Sequence, residues 1–183
     1  MNILLEDEDC VLEELKHAGN SLKIPTARHD ASHCYWLVHD RVTGTLGVGR
    51  DGLPDCEGDR IYRLSCLTDR PGRKRLNMEL QEGETAKVGT ELLCQDNHVN
   101  IWEFRLAPGE RCDYHRHLHP YIFLNLTESL TQDLDKDGKP VSDREPNLQT
   151  QGQCTVVSAE NLSAHAVRNV GNDVFLQFLV EFL

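Results

Sequence analysis

The stretch CDYHRHLHPYIF, residues 112–123, has three histidines at alternate positions, followed by a tyrosine. In a β-strand, side chains two residues apart share a face, which predicts one common face for His115, His117, His119 and Tyr121. Several imidazoles packed together without partners would each lose hydrogen bonds, whereas a divalent cation binds neutral ring nitrogens and orders them. The spacing therefore favours a metal site over an exposed strand of solvated histidines.

A second segment, AHAVRN, supplies His165 and, four positions later, Asn169. The two segments together resemble the motifs of the cupin superfamily. The first cupin motif runs Gly, five residues, His, one residue, His, three or four residues, Glu, and the second ends in His, three residues, Asn. The matching positions hold Gly109, His115, His117, His165 and Asn169. The resemblance covers about residues 85 to 183.

The first motif departs from the family at its glutamate, because Tyr121 stands at that position. The resemblance therefore implies a metal site formed by His115, His117 and His165 without a carboxylate ligand. Three imidazoles leave coordination positions open, as substrate chelation, oxygen binding and water activation all require. Loss of the glutamate also makes the site more positive, which favours an anionic or chelating substrate.

Three-histidine sites of this sort resemble those of thiol dioxygenases and diketone-cleaving cupins, which implies Fe(II) as the cofactor. Imidazole ligands also suit Zn, Ni, Mn and Cu, so the ligands do not decide the metal. The resemblance thus implies a metal-dependent enzyme, a dioxygenase-like oxidoreductase that acts on a small molecule. A cupin lyase or isomerase stays open as an alternative, as does a non-catalytic cupin that binds a small ligand or a protein.

Four further residues are candidates for roles around the ion. Tyr121 is the catalytic candidate, because a phenol can donate to bound oxygen or act as a general acid or base, or simply fill space. His119, followed by Pro120, would contact substrate, hydrogen-bond to His117 or ligate the metal itself. Arg105 would bind a substrate carboxylate if its strand face lines the barrel, and is otherwise an exposed arginine. Asn169 is expected to be structural or to support the ligands from outside.

From about residue 59, short apolar runs alternate with turns rich in Gly, Pro, Asn and Asp. This texture is typical of β-sandwiches and barrels, so we expect an all-β fold: an antiparallel jelly-roll barrel over 59–183 and an N-terminal extension over 1–58. Residues 6–18 predict a short amphipathic helix, with acids first and then apolar residues at helical spacing. Residues 26–44 fit either a helix or a strand.

Composition limits the partners. The formal net charge of -11 argues against nucleic acid and anionic membrane surfaces as partners. The sequence shows neither a secretory signal pattern nor an apolar run of membrane-spanning length, which predicts a cytoplasmic protein. Its seven cysteines never form C-x-x-C, which predicts reduced thiols. A small-molecule substrate is the expected partner, and the resemblance implies a homodimer through barrel edge strands.

Overall fold

The computed structural model describes residues 2–6, 10–15, 33–52, 59–66, 78–141 and 145–183. The chain divides into two compact units: a first unit, Met1–Arg73, and a second, Lys74–Leu183, called the jelly-roll unit below. The sequence predicted the boundary after residue 58. The run RIYRLSC, expected to open the barrel, instead forms a strand of the first unit, because it pairs there with strands on both sides.

The first unit contains one antiparallel sheet in the described residues. Its strands are β1 (Asn2–Glu6), β2 (Cys10–Leu15), β3 (His33–His39), β4 (Leu46–Arg50) and β5 (Arg60–Cys66). Their order across the sheet is β1-β2-β5-β3-β4. On one face Leu15, Trp36, Val38 and Ile61 form a buried apolar cluster. Burial of these side chains is the main force that holds the three central strands together.

The predicted helix over residues 6–18 is wrong wherever the structure describes it, because Cys10–Leu15 is strand β2. Glu13 is buried on this strand and accepts hydrogen bonds from Arg63 Nε (2.8 Å) and a terminal guanidinium nitrogen (2.5 Å). Because Arg63 lies 50 residues away in sequence, the acidic residues of this segment fitted a helix and the buried ion pair was not predicted. Residues 16–18 lie outside the described residues. The segment 26–44 fitted either a helix or a strand, and the structure forms strand β3 there over His33–His39.

The jelly-roll unit is built from nine strands in the part of the chain that the structure describes. They are β6 (Glu91–Gln95), β7 (Val99–Leu106), β8 (His115–Arg116), β9 (Tyr121–Asn125), β10 (Ser129–Leu134), β11 (Asn147–Gln149), β12 (Cys154–Val157), β13 (Ala164–Asn169) and β14 (Phe175–Phe182), with one 3-10 turn at Ala159–Asn161. The unit is therefore nearly all β, as the sequence predicted.

These strands form two antiparallel sheets, ordered β11-β10-β13-β8 and β12-β9-β14-β7-β6. From β7 onwards every connection crosses from one sheet to the other, except the connection between β10 and β11. Eight strands alternating in this way form a jelly roll, so the predicted fold is confirmed.

Strand β14 is the centre of the larger sheet, where it pairs with both β7 and β9 and is buried along its whole length. Its alternate residues Phe175, Gln177 and Leu179 face the interior of the unit and line a cavity there. None of the helices in the described residues is both long and apolar enough to cross a membrane. The cysteines in these residues are free thiols.

Candidate metal centre

The interior of the jelly-roll unit holds a cavity of about 210 Å³. Its lining includes the imidazoles of His115, His117 and His165. The rest of the wall is partly aromatic and aliphatic, with Val88, Phe104, Phe123, Phe175 and Leu179, and partly polar, with Thr131, Asp133, Asn147, Gln149 and Gln177. The cavity is smaller than the roughly 300–1,000 Å³ of sites for drug-sized ligands, so it suits a small molecule.

Strand pairing brings the three histidines together. His115 on β8 and His165 on β13 are direct cross-strand partners, and the backbone N–H of His117 donates to the carbonyl of Ser163 (3.3 Å). The Nε2 atoms of His115 and His117 lie 3.2 Å apart, and those of His117 and His165 lie 3.3 Å apart. Three ring nitrogens therefore converge on one point of the cavity, as the sequence predicted.

The donor set fits a divalent metal ion. With ring nitrogens about 2.1 Å from an ion, neighbouring ligands stand roughly 3.0 to 3.4 Å apart for angles from a right angle to the tetrahedral angle. The Nδ1–H of His115 donates to the carbonyl of Asp113 (2.9 Å), which leaves its Nε2 unprotonated and free to ligate. Nδ1 of His117 is buried without a hydrogen-bond partner in the described residues. Hydrogen bonding at this nitrogen therefore does not explain why the ring is buried.

Burial keeps two of these imidazoles neutral. It lowers the pKa of His115 to about 4, and the nearby ring of His165 adds to the effect. Burial also lowers the pKa of His117, together with its two histidine neighbours. Neutral rings are the form that binds a metal ion, so the site is ready to ligate near neutral pH. The carboxylate of Asp133 lies 3.7 Å from Nδ1 of His165, which is longer than a hydrogen bond.

Tyr121 stands against the centre. Its ring stacks on His117 with the ring centroids 4.0 Å apart and the planes 13° from parallel. Burial raises the pKa of its phenol, and the carboxylates of Asp133 and Glu181 raise it further. The phenol therefore keeps its proton near neutral pH, where it can donate a hydrogen bond or a proton. The position that the motif gives to a ligating glutamate thus holds a stacking ring.

His119 does not join the other histidines. Strand β8 ends at Arg116, so the alternation of faces stops before residue 119. His119 is not among the residues that line the cavity. Its imidazole lies instead near the carboxyl of Glu181. That carboxyl accepts hydrogen bonds from the indole of Trp102 (3.0 Å) and from the side-chain amide of Asn100, and burial raises its pKa. The predicted common face therefore holds for three of its four members.

Arg105 is placed away from the histidines. On β7 it alternates with Phe104, which lines the cavity, so Arg105 occupies the opposite face. There its Nε donates to the carboxylate of Glu103 (2.5 Å), beside a separate shallow groove. The structure thus gives Arg105 no route to a ligand in the histidine cavity.

Asn169 is a structural residue. Its fully buried carboxamide donates to the carbonyls of Leu106 (3.0 Å) and Asp173 (2.8 Å) and accepts from Ser129 (2.8 Å) and Gly171 (2.9 Å). It fixes the turn that joins β13 to β14 and contacts none of the ligands. Of the two roles left open by the sequence, the structural one is observed.

The polar part of the cavity wall was not predicted from the sequence. Thr131 and Asp133 alternate on β10, and Gln177 stands in the otherwise apolar run FLQFL of β14. A single glutamine in a buried apolar strand was the available signal, because such a position needs a polar partner inside the fold.

Several solved structures resemble part of this chain. A cupin domain from Bordetella pertussis is 20% identical over 50% of this chain and 88% of its own, with a TM-score of 0.43. An RmlC-like cupin with a double-stranded β-helix fold from Methanocaldococcus jannaschii is 19% identical over 61% and 93%, with a TM-score of 0.39. A sugar phosphate isomerase of the cupin superfamily from Silicibacter pomeroyi is 15% identical over 48% and 52%, with a TM-score of 0.35. No protein-family model and no curated protein matches the chain.

The strand order and the paired position of His115 and His165 on β8 and β13 decide the fold. The jelly-roll unit has the cupin fold. The jelly roll that the resemblance of the two histidine motifs implied is thus confirmed.

Proposed function

We propose that the jelly-roll unit is a metal-dependent cupin enzyme, a mononuclear non-haem iron oxygenase. Of the anionic and chelating substrates that the sequence left open, a small chelating one is favoured, because the described lining of the cavity contains no lysine or arginine. One observation carries the proposal: the imidazoles of His115, His117 and His165 converge inside a cavity, and no other Cys, His, Asp or Glu of the described residues joins their group. Three ligands leave positions open for a substrate and for oxygen. The choice of iron rests on the resemblance to thiol dioxygenases and diketone-cleaving cupins.

When bound, the ion would supply Lewis acidity and, as Fe(II), one-electron chemistry with oxygen. The residues of the chain supply the surroundings. The stacked ring of Tyr121 holds His117 in its ligating orientation, and its protonated phenol can donate to a substrate oxygen. Phe104 and Phe175 pack edge to face, with ring centroids 5.9 Å apart, and form an apolar wall that excludes water from the cavity.

The first experiment measures metal content. Untagged protein purified from cells is analysed for metals, wild type beside His117→Ala and beside His119→Ala. We expect one equivalent of a transition metal in the wild type and in His119→Ala, and its loss in His117→Ala, because only His117 belongs to the converging group. The matched control separates removal of a ligand from removal of any histidine in this stretch. A wild type that neither carries nor binds metal would refute the proposal.

A second experiment distinguishes the classes of reaction. The protein is loaded with Fe(II) without oxygen, and oxygen uptake is recorded with small thiols and diketones as candidate substrates. Uptake that depends on both His117 and substrate supports the oxygenase. Substrate conversion in the absence of oxygen would assign a lyase or isomerase instead. Ligand binding with no conversion under either condition would assign a non-catalytic binding module.

A further inference from the structure

Four uncharged polar side chains form a continuous hydrogen-bonded chain through the interior of the jelly-roll unit, called the amide ladder below. Gln177 Nε2 donates to Asn125 Oδ1 (2.8 Å), Asn125 Nδ2 donates to Gln149 Oε1 (3.1 Å), and Gln149 Nε2 donates to Thr131 Oγ1 (3.0 Å). The ladder links four strands, β14, β9, β11 and β10, and so connects the two sheets. Asn125 is fully buried, and Thr131 and Gln177 are buried as well.

The amide ladder has a direction, and the direction leaves hydrogen-bonding groups unused. Every link uses an amide N–H as donor, so the last link uses the oxygen of Thr131 as an acceptor and leaves its O–H free to donate. At the other end the side-chain carbonyl of Gln177 is left free to accept. Within the described residues neither group has another side-chain partner. Both residues line the cavity that holds the histidines, together with Gln149.

A buried polar chain of this kind is costly unless its groups are satisfied. An apolar core of the same shape would avoid that cost, and other residues that line the cavity, among them Phe104, Phe175 and Leu179, are apolar. A ligand group that both donates and accepts hydrogen bonds would satisfy the free O–H of Thr131 and the free carbonyl of Gln177 at once. The polar wall therefore fits an uncharged polar group on the ligand.

The charged residues of the cavity also favour an uncharged ligand. Among the described residues that line it there is no lysine or arginine, whereas the carboxylate of Asp133 is present. Arg105, the cation expected to bind a substrate carboxylate, occupies the other face of β7. An anionic group at the polar wall would lose its hydration without meeting a protein cation and would be repelled by Asp133. The wall therefore selects against acids.

We infer that the cavity selects a small uncharged molecule, in which a hydroxyl or carboxamide group binds the amide ladder through Thr131 and Gln177 and a short apolar body packs against the aromatic wall. The inference deepens the proposed function by naming its substrate class. Only the far end of the molecule, which would reach the histidines, depends on that function, because the amide ladder is complete without a metal ion.

The test uses three probes that share one apolar body: 3-methylbutanamide, 3-methylbutan-1-ol and 3-methylbutanoate. Their affinities for the chelator-treated, metal-free protein are measured near neutral pH by titration of the protein NMR spectrum. We expect the amide and the alcohol to bind at least about tenfold more tightly than the carboxylate, because one unmatched polar group costs about that factor and a buried charge costs more. Equal or tighter binding of the carboxylate, or no detectable binding of the amide and the alcohol, would overturn the inference.

Variants assign the binding to the amide ladder. Thr131→Val keeps the volume and removes the hydroxyl, so we expect it to weaken the amide and the alcohol by roughly threefold to tenfold. The matched control is Gln151→Ala, which removes a carboxamide that donates to the carbonyl of Leu126 outside the cavity and should change neither affinity. An unchanged affinity in a folded Thr131→Val would contradict the assignment. If that variant does not fold, the wild-type ranking still decides, and because metal is absent the outcome is independent of the proposed oxygenase.

Discussion

The metal-free protein should lose stability as the pH falls, and His115 allows the size of the loss to be calculated. Its pKa is about 4 in the folded protein and 6.5 as the ordinary value. A lowered folded pKa means that the unfolded chain binds more protons between these values, so stability is complete above pH 6.5 and declines as the pH falls towards 4. Linkage gives a loss of about 2 kcal/mol at about pH 5 from this residue alone. His117 adds a loss of the same sign.

The assay is urea denaturation in the presence of a chelator, from about pH 7.5 to about pH 5. The chain has two tryptophans, one in each unit, so a Trp36→Phe background leaves Trp102 as a fluorescence reporter of the jelly-roll unit. In this background the wild-type site is compared with His115→Gln, which cannot titrate. Titrating groups away from the histidine cluster are common to both proteins and cancel in the difference, whereas the difference includes the coupling of His115 to its histidine neighbours. If the two stability curves run parallel with pH, the pKa of His115 is not lowered and the reasoning about a neutral, buried ligand fails.

Three further changes test the surroundings of the site. Tyr121→Phe should retain the metal because the stacked ring remains, whereas Tyr121→Ala should weaken metal affinity by about tenfold, as loss of outer support for a histidine ligand does; equal affinities by competition with a chromophoric chelator would contradict this. Asn169→Ala should lower the free energy of unfolding by about 2–4 kcal/mol in urea, since it leaves several buried groups unpaired; a loss below about 1 kcal/mol would show that the turn does not depend on it. Gly89→Ala would put a Cβ 2.5 Å from Trp102 Cβ and 2.7 Å from the Glu103 carbonyl. It should cost about 1–3 kcal/mol by thermal unfolding, and an unchanged midpoint would contradict this close approach.

The convergence of His115 and His117 could be predicted from sequence because their arrangement is local. His115 and His117 are two residues apart, so an extended backbone alone puts them on one side. The third histidine of the group, His165, needed the spacing of a second motif. His119 could not be placed in this way, because the backbone bends at residue 119, two residues after the N–H of His117 has donated to the carbonyl of Ser163.

The remaining differences arise from contacts between distant parts of the chain. From sequence alone, Glu13 fits the exposed acidic face of a helix. Its buried partner Arg63 lies 50 residues further along the chain, so the local pattern does not reveal the pair. The face of Arg105 depends on the register of β7 against β14, and one residue of register reverses every side chain. The amide ladder joins four strands, so no single segment carries its pattern.

The pairing of β8 with β13 has a consequence for the order of folding events. Strand β8 has only two residues, and the histidine just after it, His117, lies beside His165, 48 residues further along the chain. Bringing ligands that far apart in sequence to one ion costs the unfolded chain about 4 kcal/mol of loop-closure entropy. The ion would therefore be captured late, after β13 has docked, and would lock the shortest strand of the unit in place. Without the ion, amide hydrogen exchange at β8 should be faster than in the metal-bound protein, because only two residue pairs join this strand to β13.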